Sequence, residues 1–222
     1  MGKHLKILFP NGKTNSNKMS EIISINSPEI IEKTKEFIEK GDIVCIPTDT
    51  IYGLSVNSFD KNSLIKLKRL KQREEPFLLL TDSLNKIIGL INYINPVFHK
   101  LKANGLIPGP LTLLFKVRVN IDDITSERGT IAVRIPKSDF LQKLLSSINF
   151  PIVSTSANLK GMTPAKTIEE AHNYLKEDVK LYVDAGKLDG PPSTIIDISD
   201  ENIRYIREGG IKFKKIKQII DN

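Results

Sequence analysis

Short apolar runs alternate with helical patterns along most of the chain. Residues 43–46, 77–81 and 129–136 are rich in aliphatic and β-branched side chains, a pattern typical of buried strands. Between such runs, apolar residues recur at three- and four-residue spacing, which predicts helices over residues 60–72 and 138–145, among others. Strands that alternate with helices predict an α/β fold, and hairpin-like strand pairs near the C-terminus favour a mixed sheet.

Hydroxyl side chains mark where several helices should begin. Ser27 precedes a proline, and Ser83, Ser138 and Thr167 each precede a helical apolar pattern, so all four are predicted N-caps. Gly41 follows the first of these patterns and is predicted to end that helix.

The pattern contains no internal repeat, low-complexity linker or clear domain boundary. We therefore expect one α/β domain over residues 27–222, with a twisted, mixed or largely parallel sheet and flanking helices. Residues 1–26 hold one short apolar run, residues 5–9, followed by polar residues and glycine. That composition predicts an N-terminal arm or edge strand.

Polar side chains collect where the predicted strands end. The apolar run 151–153 opens into Ser154, Thr155, Ser156 and Asn158, and ligands of open α/β sheets bind outside the carboxyl ends of strands. Taken alone, such a stretch is more often a turn that hydrogen-bonds its own backbone. Four loops are chemically dense in this way: residues 47–54, 71–76, 154–164 and 191–194.

Four cations accompany these loops: Lys71, Arg73, Arg134 and Arg207. They would suit a nucleoside triphosphate plus a carboxylate, because arginine forks match phosphate and carboxylate groups while lysine acts as a point charge. The sequence has no Walker-type loop and no Gly-x-Gly-x-x-Gly fingerprint. None of the histidines lies in the four loops: His4, His99 and His172. Catalysis without histidine indicates positioning and electrostatics, as in phosphoryl or nucleotidyl transfer.

Charge and composition restrict the ligands and the cellular compartment that we expect for this protein. The formal net charge of +7 favours anionic ligands such as nucleotides, phosphates or RNA. The single cysteine, Cys45, lies in an apolar run and excludes an internal disulfide or a cysteine-based zinc cluster. No apolar stretch approaches the ~20 residues of a membrane span, and residues 1–11 lack the apolar core of a signal peptide. We expect a soluble cytoplasmic protein.

Six segments occur in an order that resembles the YrdC family, whose enzymes are threonylcarbamoyl-AMP synthases. The match runs from about residue 27 to residue 210, and the six together are specific although each alone is weak. The segments are Pro-Thr-Asp-Thr-Ile-Tyr-Gly-Leu at 47–54, Lys-Gln-Arg at 71–73, Ala-Val-Arg-Ile-Pro at 132–136, Ser-Thr-Ser-Ala-Asn at 154–158, Pro-Ser-Thr-Ile-Ile-Asp at 192–197 and Arg-Glu-Gly at 207–209.

The resemblance implies a nucleotidyltransferase with a large basic cavity. L-threonine and bicarbonate would give a carbamate that attacks ATP, which yields threonylcarbamoyl-AMP and pyrophosphate, with Mg²⁺ accompanying ATP. The product would serve threonylcarbamoyladenosine formation in tRNAs that read ANN codons. Implied partners are a downstream threonylcarbamoyl transferase complex and tRNA or double-stranded RNA, without a membrane.

Roles carry over where the residues match. The resemblance implies that Lys71 and Arg73 are catalytic and handle the ATP phosphates, and it implies no protein ligand for a metal. The implied ATP-binding set is Lys71, Arg73, Thr130, Ser156, Asn158 and Arg207. The implied threonine-binding set is Thr50, Arg134, Ser154 and Ser193. For Asp49 and Tyr52, structural hydrogen bonding and a substrate role stay equally open, whereas Asp197 is expected to be structural.

The chain departs from the family pattern after Arg73. Residues 74–76 are Glu-Glu-Pro, about two residues shorter than usual and without a second lysine, and Leu80 replaces a common histidine. Two alternatives therefore remain. One is a YciO-type paralogue with weak or different nucleotide-dependent activity. The other is a double-stranded RNA-binding module without chemistry. Single-stranded RNA binding is disfavoured, because it usually needs exposed aromatic side chains for base stacking and the polar loops hold few of them.

Overall fold

The computed structural model describes residues 19–72, 75–121 and 124–221. The apolar run predicted as an arm or edge strand at residues 5–9 lies outside the described residues, as does Arg73. Within the described residues a strand over Glu21–Ser24 forms one edge of the sheet; it lies inside the segment 1–26 but not at residues 5–9.

The described residues form ten strands and six α-helices. The strands are β1 (Glu21–Ser24), β2 (Val44–Pro47), β3 (Tyr52–Asn57), β4 (Leu78–Leu80), β5 (Leu111–Lys116), β6 (Thr130–Arg134), β7 (Ile152–Ser156), β8 (Leu181–Asp184), β9 (Thr194–Asp197) and β10 (Arg204–Arg207). The helices are α1 (Ile30–Glu39), α2 (Lys61–Lys71), α3 (Pro96–Ala103), α4 (Asp139–Ser147), α5 (Ile168–Leu175) and α6 (Phe213–Asp221). Two short 3₁₀ helices cover Leu84–Lys86 and Lys176–Asp178. None of these helices is long and apolar enough to cross a bilayer.

All ten strands join one sheet in the order β1-β8-β2-β3-β7-β4-β6-β5-β9-β10. The expected mixed α/β sheet is confirmed. Among the described strands four of the nine neighbouring pairs are parallel and five are antiparallel. The parallel share is therefore smaller than expected, because β3 and β7 enter the centre of the sheet antiparallel to their neighbours.

The sheet is packed unequally on its two faces. One face carries the larger apolar core, to which α2, α3, α5 and α6 contribute buried side chains. On the other face a smaller core lies under α1 and α4, where Val44, Ile46 and Ile152 pack against Phe37 and Leu144. Because side chains alternate along a strand, the polar residues of β6, β7 and β9 that share this second face are placed beyond the cover of these two helices.

Two of the four predicted N-caps are confirmed. Ser138 accepts a hydrogen bond from the backbone N–H of Leu141, and Thr167 does the same for Glu170. The Ser27 prediction was wrong, since α1 begins at Ile30 with Glu29 at its N-cap. Ser83 precedes only the 3₁₀ turn and makes no side-chain cap. The prediction for Gly41 is confirmed: it follows the last turn of α1 with a φ of +78°, where a side chain would be strained.

The sequence does not predict β3, because its first residues fall within the polar loop predicted over 47–54. In the structure only residues 48–51 are loop, and Tyr52 starts a strand between β2 and β7. Likewise β7 continues to Ser156, three residues past the predicted end at Val153. Pairing with β3 and β4 supplies the backbone hydrogen bonds that the serine- and threonine-rich sequence alone does not indicate.

Candidate functional site

A cavity of about 280 Å³ opens on the sheet face that α1 and α4 leave uncovered. Its floor follows the strand register: a middle row consists of Ser154, Leu78 and Ala132 on neighbouring strands β7, β4 and β6. The next residues on the same face lie two positions away from this row, on either side of it. Ser156 and Thr130 lie on one side, and Arg134 lies on the other. The register therefore separates the hydroxyls predicted for ATP from the guanidinium predicted for threonine.

Most of the predicted site residues are brought together here. Six of them line the cavity: Thr50, Arg134, Ser154, Ser156, Ser193 and Arg207. They come from five segments of the chain, and they include the whole set predicted for threonine. The sequence reasoning missed Thr112 and Gly53, which also line the cavity. Both belong to predicted elements or loops, but nothing local indicates which face they occupy.

The Arg134 guanidinium is held from three directions. It is only 4% exposed. Its Nε donates to the Gly109 carbonyl at 3.2 Å, and its Nη1 donates to Thr50 Oγ1 at 3.1 Å. Its Nη2 donates to the Asp49 carboxylate, which also accepts a hydrogen bond from the Lys137 backbone N–H at 3.1 Å. The loop after β2 and the end of β6 are thereby tied together at the cavity wall.

Arg207 reaches the cavity because of a β-bulge. Tyr205 pairs with Ile196 and Arg207 pairs with Ile195, so Ile206 is an extra residue in β10. The extra residue reverses the alternation of side chains, which brings Arg207 to the cavity side of the hairpin. There its Nη2 donates to the Ser193 carbonyl at 2.9 Å, while Ser193 Oγ shares a hydrogen bond of 2.8 Å with Thr112 Oγ1. Burial lowers the pKa of Arg207 from its usual value.

Lys71 is a buried ammonium group at the C-terminal end of α2, 6% exposed. Its Nζ donates to the Ser156 carbonyl at 2.8 Å, the Asn158 carbonyl at 2.6 Å and Asn158 Oδ1 at 2.7 Å. Asn158 Oδ1 also accepts from Ser156 Oγ at 2.6 Å, and Asn158 Nδ2 donates to the Met162 carbonyl at 2.5 Å. Lys71 and Asn158 thus shape the loop after β7 from below, whereas Ser156 faces the cavity.

A second chamber of about 640 Å³ adjoins the first, and both share Pro76 and Ala132 in their walls. Thr130 lines this chamber, and its Oγ1 shares a hydrogen bond of 2.8 Å with Ser126 Oγ. The two chambers together offer room for a ligand considerably larger than an amino acid.

Hydrogen bonds answer the open assignment for Tyr52 and test the role expected for Asp197. Tyr52 Oη donates to the Gly186 carbonyl at 2.7 Å and accepts from the Ala185 N–H, and burial raises its pKa to about 12. Its hydroxyl is therefore occupied away from the cavity. Asp197, expected to be structural, accepts from the Ser199 N–H and from Arg204 at 2.8 Å. The structural role expected for Asp197 is confirmed.

The histidine and cysteine side chains that the structure describes lie apart from the two chambers. No group of three or more His, Cys, Asp or Glu side chains among the described residues is arranged to hold a metal ion. His172 Nε2 lies 3.3 Å from Ser20 Oγ, away from both chambers. Cys45 is fully buried, and burial raises the pKa of its thiol.

Comparison with known proteins identifies relatives along nearly the whole chain. A protein of Methanocaldococcus jannaschii provisionally named threonylcarbamoyl-AMP synthase is 34% identical over 206 residues, covering 90% of this chain and 97% of that protein. The threonylcarbamoyl-AMP synthase of Pyrococcus abyssi is 32% identical over 210 residues, covering 89% of this chain and 61% of the relative. This chain therefore spans less than two thirds of the Pyrococcus protein.

Solved structures show the same architecture. P. abyssi Sua5 complexed with L-threonine superposes with a TM-score of 0.83 at 28% identity, covering 90% of this chain and 61% of that one. Escherichia coli YciO superposes with a TM-score of 0.79 at 28% identity, covering 89% of this chain and 100% of that one. The profile of the Sua5/YciO/YrdC family, described as "Telomere recombination", matches residues 36–209. On this evidence the chain belongs to the Sua5/YciO/YrdC family.

Proposed function

We propose that this chain is an L-threonylcarbamoyladenylate synthase, a nucleotidyltransferase that makes threonylcarbamoyl-AMP and pyrophosphate from L-threonine, bicarbonate and ATP. The observation that carries the proposal is the layout of the cavity floor. A buried guanidinium lies on one side of Ser154, and the hydroxyls of Ser156 and Thr130 lie on the other. Relatives named threonylcarbamoyl-AMP synthase and the Sua5 structure with L-threonine support the same function.

Threonine would bind at the Arg134 end. A guanidinium group binds a carboxylate through paired N–H donors, and Arg134 reaches the cavity from its wall. Thr50, Ser154 and Ser193 place hydroxyls around the same space, where they can hydrogen-bond the substrate amine or hydroxyl. The substrate nitrogen would then face the middle of the floor, towards the nucleotide.

ATP would occupy the other end and extend into the second chamber. Ser156 and Thr130 would form its polar border, with Asn158 behind Ser156. Arg207 lies on the same row of the sheet as Arg134, and it would reach the nucleotide from that side of the first chamber. Lys71 and Arg73 complete the proposed phosphate-handling set. The Lys71 charge lies directly under the Ser156–Asn158 loop, where it stabilises negative charge at short range even though its N–H groups bind the loop.

The proposed chemistry needs positioning more than acid–base catalysis. The amine of threonine and bicarbonate condense to a carbamate with loss of water. A carbamate oxygen attacks the α-phosphorus of ATP, the bond from that phosphorus to the β-bridging oxygen breaks, and pyrophosphate leaves with the bonding electrons. Fixed cations stabilise the leaving group, and fixed hydroxyls hold the carbamate in line.

Mg²⁺ would enter with ATP. Since Mg²⁺ prefers phosphate and water oxygens over all-protein cages, the triphosphate would supply its ligands here. Among the described residues three carboxylates line the second chamber, those of Glu75, Glu127 and Asp197, and Asp197 accepts a hydrogen bond from Arg204. The proposal therefore assigns no metal ligand to the protein.

The product would serve tRNA threonylcarbamoyladenosine modification at ANN-decoding tRNAs, through a threonylcarbamoyl transferase complex in the cytoplasm. The YciO-type alternative has its own support, because E. coli YciO superposes over its full length. The net charge of +7 keeps tRNA or double-stranded RNA as a candidate ligand.

One assay separates these functions. The protein is incubated with Mg-ATP, L-threonine and labelled bicarbonate, and both pyrophosphate and labelled threonylcarbamoyl-AMP are measured. A synthase forms both, in equal amounts and only with threonine. Nucleotide-dependent product without threonine would favour the YciO-type function, and double-stranded RNA binding without any product would favour the binding module.

A further inference from the structure

Asp49 contacts the cavity only through Arg134. Its carboxylate accepts from Arg134 Nη2 and from the Lys137 backbone N–H at 3.1 Å, and it does not line either chamber. Its side chain is 10% exposed. The contact spans 85 positions of the sequence and joins the loop after β2 to the end of β6.

The donor inventory of Arg134 explains what this contact leaves for a ligand. A guanidinium group has five N–H donors: one on Nε and two on each terminal nitrogen. The contacts to Gly109, Thr50 and Asp49 use Nε and one N–H on each terminal nitrogen. One N–H on Nη1 and one on Nη2 therefore remain for a ligand, and a carboxylate binds a guanidinium through such a pair of N–H donors.

Asp49 also balances the charge. Burial lowers the pKa of Arg134 and the Arg207 charge acts in the same direction, whereas the Asp49 charge and hydrogen bond oppose both. Without Asp49 two arginines would share one cavity wall uncompensated. Such a guanidinium could rotate towards other acceptors, and the N–H donors offered to a substrate carboxylate would no longer be fixed.

We propose that Asp49 is the positioning residue of the threonine site: it fixes the Arg134 guanidinium so that its two remaining N–H donors receive the substrate carboxylate. The inference rests on the proposed function for the identity of the substrate, but the Asp49–Arg134 geometry itself does not. It also answers the open assignment for Asp49: its hydrogen bonds are structural, yet they act on substrate binding through Arg134.

The kinetic test is Asp49→Asn, which keeps the size and removes the charge. We expect the KM for L-threonine to rise about tenfold to a hundredfold, as for loss of one charge-assisted hydrogen bond. The kcat at saturating threonine and the KM for ATP should stay within about twofold. Asp49→Glu should recover part of the threonine affinity. The matched control is Asp189→Asn, which removes an exposed carboxylate paired with Lys166 and Lys187.

An NMR measurement without ligand tests the positioning role of Asp49 even if the proposed function is wrong. In the wild type the Arg134 Nε–H, buried and bonded to Gly109, should give a sharp, slowly exchanging ¹H–¹⁵N resonance, assigned by its loss in Arg134→Lys. Asp49→Asn should broaden it or speed its exchange, and Asp189→Asn should not. The wild-type protein could show this Asp49-dependent resonance and yet form no product with threonine. That result would refute the synthase function and retain the positioning role of Asp49.

Two results would overturn the inference. One is an unchanged threonine KM together with an unchanged Arg134 resonance in Asp49→Asn. The other is an equal loss for threonine and ATP in both Asp49→Asn and Asp49→Glu, because a general loss of structure does not distinguish the two substrates.

Discussion

The two buried cations beside the cavity are held in opposite ways. Arg134 is bound by one carboxylate, one hydroxyl and one carbonyl, and two N–H donors of its guanidinium remain for a ligand. Lys71 donates, among its contacts, to three oxygens of a single loop. A planar guanidinium with five N–H donors can be held by the protein and still bind a ligand. An ammonium group has three N–H donors, and three acceptors occupy all of them. Arg134 is thus suited to contact substrate, and Lys71 is suited to shape a loop and supply charge.

The largest effect should follow the loss of Arg134. In Arg134→Ala the substrate carboxylate loses its partner and Asp49 is left buried without its cation. We expect kcat/KM for threonine to fall about a hundredfold or more. The free energy of unfolding should fall by about 3–5 kcal/mol, as when one partner of a buried pair is removed. Urea denaturation and the pyrophosphate assay measure the two effects.

Asp49→Ala/Arg134→Ala provides the control for the stability effect. It removes the orphaned charge, so it should recover part of the lost stability but none of the threonine activity. If Arg134→Ala uses threonine within about threefold of wild type, the carboxylate role of Arg134 is wrong.

Lys71→Met should act through the loop. Three oxygens lose their donor, which should cost about 2–4 kcal/mol of stability and lower kcat/KM for ATP more than for threonine. Asn158→Ala removes another part of the same network, so the double variant should be hardly worse than Lys71→Met alone. Lys61→Met, at the exposed start of the same helix, is the matched control. Additive losses in the double variant would mean that Lys71 acts independently of this loop.

A smaller effect is expected at Gly53, on the cavity floor. A Cβ added there would lie 2.7 Å from Ser154 Oγ, so Gly53→Ala should displace that hydroxyl and cost about 1–2 kcal/mol of stability. The threonine KM should rise about threefold to tenfold by the same displacement. At Gly89 an added Cβ meets nothing within 4 Å, and Gly89→Ala should leave both quantities unchanged. Equal behaviour of the two variants would argue against Ser154 as a threonine contact.

The smallest effect concerns the Asp197–Arg204 pair, a contact at the edge of the second chamber. Burial opposes ionisation of Asp197, but hydrogen bonds from Ser199 and the Arg204 charge outweigh it, so the pKa of Asp197 is lowered. Its contribution to stability is therefore present above the unfolded pKa of about 4 and is lost as the pH falls through the folded pKa.

Asp197→Asn should accordingly lower stability at pH 7 and make its decline below pH about 4 shallower. Denaturation with urea at several pH values between 3 and 7 measures this. Asp200→Asn removes the exposed partner of the same arginine and serves as the control. A steeper acid decline in Asp197→Asn than in wild type would contradict the sign of the pKa shift.

Much of the local structure follows from the sequence. Helical spacing locates α2 through α5, and the caps at Ser138 and Thr167 fix where α4 and α5 begin. The N-cap predictions for Ser27 and Ser83 were wrong, because a hydroxyl side chain before a helical pattern is compatible with a turn as well as with a cap. Strand β3 was not predicted, because pairing with β2 and β7 on its two sides stabilises it. These two partners are separated from each other by about a hundred residues of chain.

The candidate site divides in the same way. The sequence alone determined which residue types surround the cavity, because hydroxyls and cations recur at the ends of predicted strands in a recognisable order. Only the tertiary structure decided what they touch. The bulge at Ile206 orients Arg207, the register places Ser154 between Ser156 and Arg134, and the fold brings Asp49 onto Arg134. Local propensity acts within a few residues, whereas these contacts depend on long-range strand pairing, which can shift by one residue and reverse every side chain.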